Sequence, residues 1–208
     1  MIITIGRQFG SGGRELGRRL AEALHIAYYD QEIISGIAER TSLSEQYVHE
    51  VLEQRPIPLF PITIGRSFYP HENPADTQAR TVYAEQSKLI HELAEKSSCV
   101  IVGRCADYIL RDEDIFRIFV YADMPSKMQR CREKGEDPQT QGLNDKELKN
   151  FIQRVDKNRA AYYEFYTGQD WGDILNYDLC VNTTNTEIKR IIPYLTGMLT
   201  ERLARSGK

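Results

Sequence analysis

The chain opens MIITIGRQFGSGGRELGRRLAEAL, and this segment restricts the fold more than any other. Ile2, Ile3 and Ile5 make a short β-branched run that reads as a core strand. Glycines follow at positions 6, 10, 12, 13 and 17. Leu16, Leu20, Ala21 and Leu24 then recur at helical spacing and predict a helix over about 13–24. A strand that passes through glycines straight into a helix meets two physical needs. The backbone can take positive φ and come close to a ligand, and its N–H groups can aim at an anion beside the positive end of the helix dipole. The GSGG run at 10–13 meets both, and Arg7, Arg14, Arg18 and Arg19 flank it.

The rest of the chain repeats the alternation. IAYYD (26–30), CVIVG (99–103), IFRIFVYA (115–122) and DLCVN (178–182) read as further strands. Ser42 with Glu45 gives a capping-box signal for a helix to about Glu53, and Asn144 with Glu147 gives another for a long helix through Tyr166. Pro125 starts a helix to about Lys134, and Ile188 to Leu203 carries the apolar stripe of a terminal helix. Strands alternating with helices imply a parallel sheet covered on both faces, with its ligand at the carboxyl ends of the strands. The expected fold is therefore α/β: a five-stranded parallel sheet in a three-layer αβα arrangement, first strand central. The chain length of 208 residues suits one domain, 1–208. A proline-rich stretch at about 55–75 reads as a long mobile loop.

Composition removes several classes. With 27 basic and 30 acidic residues the net charge is -3, so no nucleic-acid partner is indicated. No apolar stretch approaches 18 residues and no secretory signal opens the chain, so no membrane is expected. Cys99, Cys105, Cys131 and Cys180 form neither a CxxC site nor a disulfide framework, which favours the cytoplasm. His25, His49, His71 and His91 are scattered, and no metal-ligand set is visible.

As a motif the glycine turn departs from G-x-x-x-x-G-K-S/T. Aligned on Gly12, Arg7 stands at the first glycine, Gly13 at the lysine and Arg14 at the metal-binding hydroxyl, for which Ser11 is the nearest substitute. The dinucleotide spacing fails too, because Glu15 occupies its third glycine.

The order of strand, GSG loop, helix, then VIVGR before a strand and an arginine-bearing helix resembles the cytidylate kinase-like family of P-loop nucleoside monophosphate kinases. The runs GRQFGSGGRELGRRLA and RAAYYEFYTGQDWGDILNYDLCVNT carry the likeness from Ile2 to about Leu199. The resemblance implies a P-loop kinase-type fold with a helical lid at roughly 130–160. It also implies phosphoryl transfer from ATP, with Mg²⁺, to a small phosphorylated acceptor such as CMP. Gly10, Ser11 and Gly12 carry over from the family's loop whereas Gly13 and Arg14 do not, and the backbone amides of Gly10, Ser11, Gly12, Gly13 and Arg14 would hold the donor phosphates. Asp30 matches the aspartate of the acceptor-side turn. Gly103 and Arg104 echo a GRD segment, with Cys105 replacing its aspartate and Asp107 standing in. Arg130, Arg132, Arg154 and Arg159 are the lid candidates, and the acceptor-side loop falls at 55–75.

Phosphoryl transfer asks the protein mainly for positioning and for cations around the moving group. Arginine suits this because its planar fork holds phosphate oxygens bidentately. Arg14, Arg104, Arg154 and Arg159 are the catalytic candidates, and Asp30, Arg104 and Asp107 the acceptor-binding ones. Arg130 and Arg132 lie two apart on one helix and cannot face the same way. Tyr162, Tyr163, Phe165 and Tyr166, with Trp171, read as packing around the last strand, base stacking being the sharper alternative. Two other readings stay open: a non-catalytic nucleotide- or anion-binding regulatory protein, and an interaction domain. A homodimer through 55–96 or the aromatic helix stays open as well.

Overall fold

The computed structural model describes residues 1–53, 74–135 and 138–206. Most of the proline-rich stretch lies outside the described residues. Five parallel strands form one sheet: β1 (Ile2–Arg7), β2 (Ala27–Tyr29), β3 (Cys99–Val102), β4 (Ile115–Tyr121) and β5 (Leu179–Asn182). Their order is β2-β3-β1-β4-β5, so the first strand is central, as expected. Ile5 pairs with Val102 on one side and with Ile118 on the other. The helices are α1 (Gly13–Leu24), α2 (Gln31–Thr41), α3 (Glu45–Glu53), α4 (Pro74–Lys96), α5 (Ala106–Ile109), α6 (Met124–Lys134), α7 (Asp145–Thr167) and α8 (Ile188–Ser206).

Alternation along the strands builds the layers, because successive side chains leave opposite faces of a sheet. Ile3, Ile5, Val100, Val102 and Ile118 pack against Leu16 and Leu20 of α1 and Leu195 and Leu199 of α8. Cys99, Ile101 and Ile115 face the other way, onto Ile33 and Ile37 of α2, Val48 of α3, Ile90 of α4 and Tyr162 of α7. Both faces are dry, which explains why these strands read as continuous apolar runs.

The two capping signals differ in the structure. Asn144 accepts from the Glu147 N–H at 3.0 Å, and Glu147 accepts from the Asn144 N–H at 2.9 Å, a complete capping box. Ser42, in contrast, does not cap α3. It ends α2 in a left-handed conformation, φ 56°. Ser44 is the capping residue, accepting from the Tyr47 N–H at 3.2 Å. Spacing alone cannot separate two serines when one is needed to reverse the chain.

Replacing Asn144 with Ala removes one half of the box. Unfolding in urea should show a loss of about 1 kcal/mol, with the slope of the transition unchanged.

Candidate functional site

Three neighbouring strands deliver charge to one edge of the sheet. Arg7 is the last residue of β1, Asp30 follows β2 directly, and Arg104 stands two residues past β3. The strands are adjacent and parallel, so their carboxyl ends converge. Glu53, at the end of α3, and Arg159, within α7, close the group from the helical layer. Glu53 accepts from Arg159 Nε at 3.1 Å and lies 3.6 Å from Arg104 Nη1. Asp30 pairs with Arg14 Nε at 2.8 Å.

Burial makes this cluster unusual. Arg7 is 7% and Arg104 6% exposed. Arg7 Nη2 and Arg104 Nε and Nη2 are buried without a hydrogen-bond partner, and so is Asp30 Oδ1. Burial by itself would raise the Glu53 pKa, but Arg159, Arg104 and Arg7 together hold it well below the usual carboxylate range. Burial, and then repulsion from Arg159, pull Arg7 down from 12.5 to about 9. The group sets three guanidinium groups, Arg7 and Arg104 buried and Arg159 half-buried, against Glu53 and Asp30. Unpartnered buried donors of one sign fit an anion rich in acceptor oxygens.

The local backbone serves this placement. Gly103, Arg104 and Cys105 have φ of 73°, 60° and 53° in succession. Left-handed conformation costs non-glycine residues on the order of 1 kcal/mol or more each. The buried Gln86 amide, donating to the Arg104 carbonyl at 2.9 Å, holds that turn. Gly103 admits the Arg7 guanidinium, since a Cβ there would lie 1.8 Å from Arg7 Nη1.

Two cavities meet at the cluster. One lies over the glycine turn, lined by Gly10, Gly12, Gly13, Arg14 and Arg130, and encloses about 630 Å³ of partly open space. The other, about 450 Å³, is walled by Arg104, Asp107, Tyr162, Tyr163, Trp171 and Tyr177. Arg7 and Arg159 line both. In the second cavity Asp107 accepts from the Tyr163 hydroxyl at 2.8 Å, and burial still raises its pKa.

The profile of the cytidylate kinase-like family matches residues 2–185, a span that holds all five strands and both glycine turns. The chain belongs to the cytidylate kinase-like family. No curated protein matches it. Among solved structures, an uncharacterized protein from Eubacterium ventriosum ATCC 27560 is similar over 98% of both chains, with 26% identity and a TM-score of 0.67. Shikimate kinase from Bacteroides thetaiotaomicron is 20% identical over 96% of this chain and 98% of that one, TM-score 0.57. Deoxyadenosine kinase from M. mycoides with bound dATP is 11% identical over 96% and 100%, TM-score 0.51. These last two establish the fold, that of the P-loop kinases.

Within that fold the sequence candidates separate. Arg14, Asp30, Arg104 and Arg159 come together with Glu53, and Asp107 stands in the adjoining cavity. Arg130 lies at the turn, but its guanidinium donates to the carbonyls of Gly10 at 2.6 Å and Thr183 at 3.1 Å, so it braces the turn. Arg132 is half-exposed and pairs with Asp145 at 3.0 Å. Arg154 lies over the Phe151 ring, 5.2 Å from its centroid. Neither lines either cavity.

The Ser11 hydroxyl is fully buried and donates to the Gln8 carbonyl at 2.7 Å, so it does not replace the missing metal-binding hydroxyl. The aromatic residues divide as well. Tyr166 stacks on Tyr83, whereas Tyr162, Tyr163 and Trp171 form cavity wall in addition to packing. Arg7, Glu53 and Tyr177 were not among the sequence candidates. The sequence hints at Arg7 only in that it flanks the GSGG run and stands where a first glycine is usual.

The cluster makes two expectations. Sulfate does not titrate in this range, and it should stabilise the protonated guanidinium of Arg7, which faces Asp30, Glu53, Arg104 and Arg159. Its affinity should hold near neutrality and fall as pH rises through about 9, where the folded protein begins to release the Arg7 proton; calorimetric titrations at a series of pH values read this. Glu53→Gln leaves the three guanidinium groups short of one carboxylate. A loss of roughly 3–5 kcal/mol in urea unfolding is expected, part of it recovered in sulfate.

Proposed function

We propose that this chain transfers a phosphoryl group from a nucleoside triphosphate, ATP, to a small phosphorylated acceptor of the nucleoside monophosphate class, CMP being the first to test. The observation that carries this reading is the set of buried guanidinium donors on Arg7 and Arg104 left without partners beside two cavities, next to a glycine turn that opens a helix. Backbone N–H groups of residues 10–14 would hold the donor phosphates at the helix N-terminus. Arg14 and Arg159 would neutralise charge that builds on the transferring group, and Arg104 would bind the acceptor's phosphate. The aromatic wall of the second cavity offers faces for a base, with Asp107 as a polar contact.

Among the described residues no group of three His, Cys, Asp or Glu side chains is arranged to hold a metal. The site nevertheless fits Mg²⁺ in the form such sites use, where substrate phosphates supply most ligands and one or two carboxylates the rest. Asp30, whose Oδ1 lacks a partner, is the carboxylate that would hold it. Mg²⁺ would there draw charge from the phosphate oxygens. Among the described residues no helix is long and apolar enough to cross a membrane, and Cys99, Cys105, Cys131 and Cys180 form no disulfide there, which fits the reducing conditions of the cytoplasm.

One observation favours a second reading, a nucleotide- or anion-binding protein without turnover: neither a loop lysine nor a free loop hydroxyl is present. Thermal unfolding with ATP, CMP, UMP and dCMP, each with and without Mg²⁺, combined with an assay of ADP release, separates the two. At a hundredfold excess over Kd a bound ligand should stabilise the fold by about 2.7 kcal/mol. Acceptor-dependent ADP release from the wild-type chain, lost in Arg104→Met while the ATP-induced shift remains, is expected. Stabilisation by ATP with no turnover on any acceptor would leave the second reading. No stabilisation by any nucleotide or by sulfate would remove both.

A further inference from the structure

The glycine turn lacks its lysine, yet the space in front of it is filled by a cation from elsewhere in the same segment. A Cβ added to Gly13 would lie 2.4 Å from Arg7 Cβ and 2.9 Å from Arg7 Cγ. Both contacts are with the stem of the side chain, close to the backbone, so Arg7 cannot yield by rotating its far end. Any side chain at position 13 is therefore incompatible with an arginine at position 7, and a lysine at 13 would require position 7 to be small. From this point the Arg7 stem runs past the turn. Its guanidinium lies against Gly103, at the boundary of the two cavities.

We propose that positions 7 and 13 have exchanged roles: Arg7 supplies the phosphate-binding cation that the loop lysine would otherwise provide, and Gly13 is a glycine because the Arg7 stem occupies the lysine's place. The assignment rests on the phosphoryl-transfer reading and deepens it by naming the residue that contacts the group in transit. Four features support it. Arg7 is 7% exposed and its Nη2 is buried without a partner. It is one of only two cations among the described residues that line both cavities, and the other, Arg159, is already engaged by Glu53 at 3.1 Å. No ion pair is formed by Arg7 itself among the described residues, although Asp30 and Glu53 lie near enough to act on its charge. Its planar fork can hold two oxygens of one phosphate, whereas an ammonium acts as a point charge.

The exchange can be run backwards. Calorimetry with MgATP, and melting temperature without ligand, are measured for the wild type, Arg7→Met, Gly13→Lys and the double variant Arg7→Gly/Gly13→Lys. Arg7→Met should weaken MgATP binding roughly tenfold to a hundredfold, the range for a lost charge-assisted contact. Gly13→Lys alone should melt well below the wild type, because its side chain meets the Arg7 stem. The double variant should regain most of that melting temperature and bind MgATP within about tenfold of the wild type.

Wild-type affinity in Arg7→Met, or a double variant no more stable than Gly13→Lys, overturns the exchange and leaves the phosphoryl-transfer reading standing. A wild-type chain that binds neither MgATP nor sulfate overturns both. Should Arg7→Met and the double variant fail to fold, Arg7→Gln decides, since it keeps the stem and loses the charge, and wild-type MgATP affinity in that variant counts against Arg7.

Discussion

Three guanidinium groups gathered around Glu53 at the carboxyl edge of the sheet set the terms for the rest of the molecule. Taking a guanidinium out of water costs several kcal/mol unless its donors find partners, and here several donors of Arg7 and Arg104 do not. Such an arrangement persists only if the surroundings hold it. Parallel strands do so by bringing Arg7, Asp30 and Arg104 to one edge. The helical layer contributes Glu53 and Arg159 from segments far away in sequence. Glycines at 13 and 103 open the two gaps that the Arg7 side chain fills. The fold thus holds buried donors whose partners an anion would supply, which is what a preorganised phosphate site requires.

The glycine turn is held with equal care by its neighbours. Lys127 of α6, itself buried, pairs with Asp156 of α7 at 2.5 Å. Asp156 also accepts from the Phe9 N–H at 2.7 Å, and Lys127 donates to the Gln8 side chain at 3.3 Å. Thr183, just beyond β5, donates its hydroxyl to the Ser11 carbonyl at 2.7 Å, while Arg130 caps the Gly10 carbonyl. Polar groups of the turn that point into the protein are therefore satisfied by the two helices flanking the expected lid and by the last strand. The backbone of the turn is fixed in shape before any ligand arrives.

Much of this was legible in the residue order. Continuous apolar runs mark strands buried on both faces, so five parallel strands and their helical cover could be read directly. Asn144 and Glu147 signal their helix start because a capping box depends only on residues three apart. The serine that starts α3 was misplaced by two positions, because a left-handed end to α2 and a cap for α3 compete for the same residue types. Arg132 and Arg154 carried the right chemistry but stand on faces turned to Asp145 and Phe151, a matter of helix rotation that composition does not encode.

By itself the sequence determined the layering of the sheet, the central position of the first strand and the presence of a glycine turn at a helix N-terminus. Each follows from contacts within a few residues or from a simple period. Only the tertiary structure decided which arginines share a site, that Glu53 balances them, and that the stem of Arg7 fills the space beside Gly13. The physical reason is range. Strand and helix patterns are set by neighbouring residues, whereas a buried charge cluster is assembled from β1, β3, α3 and α7, segments whose approach depends on how the whole sheet packs.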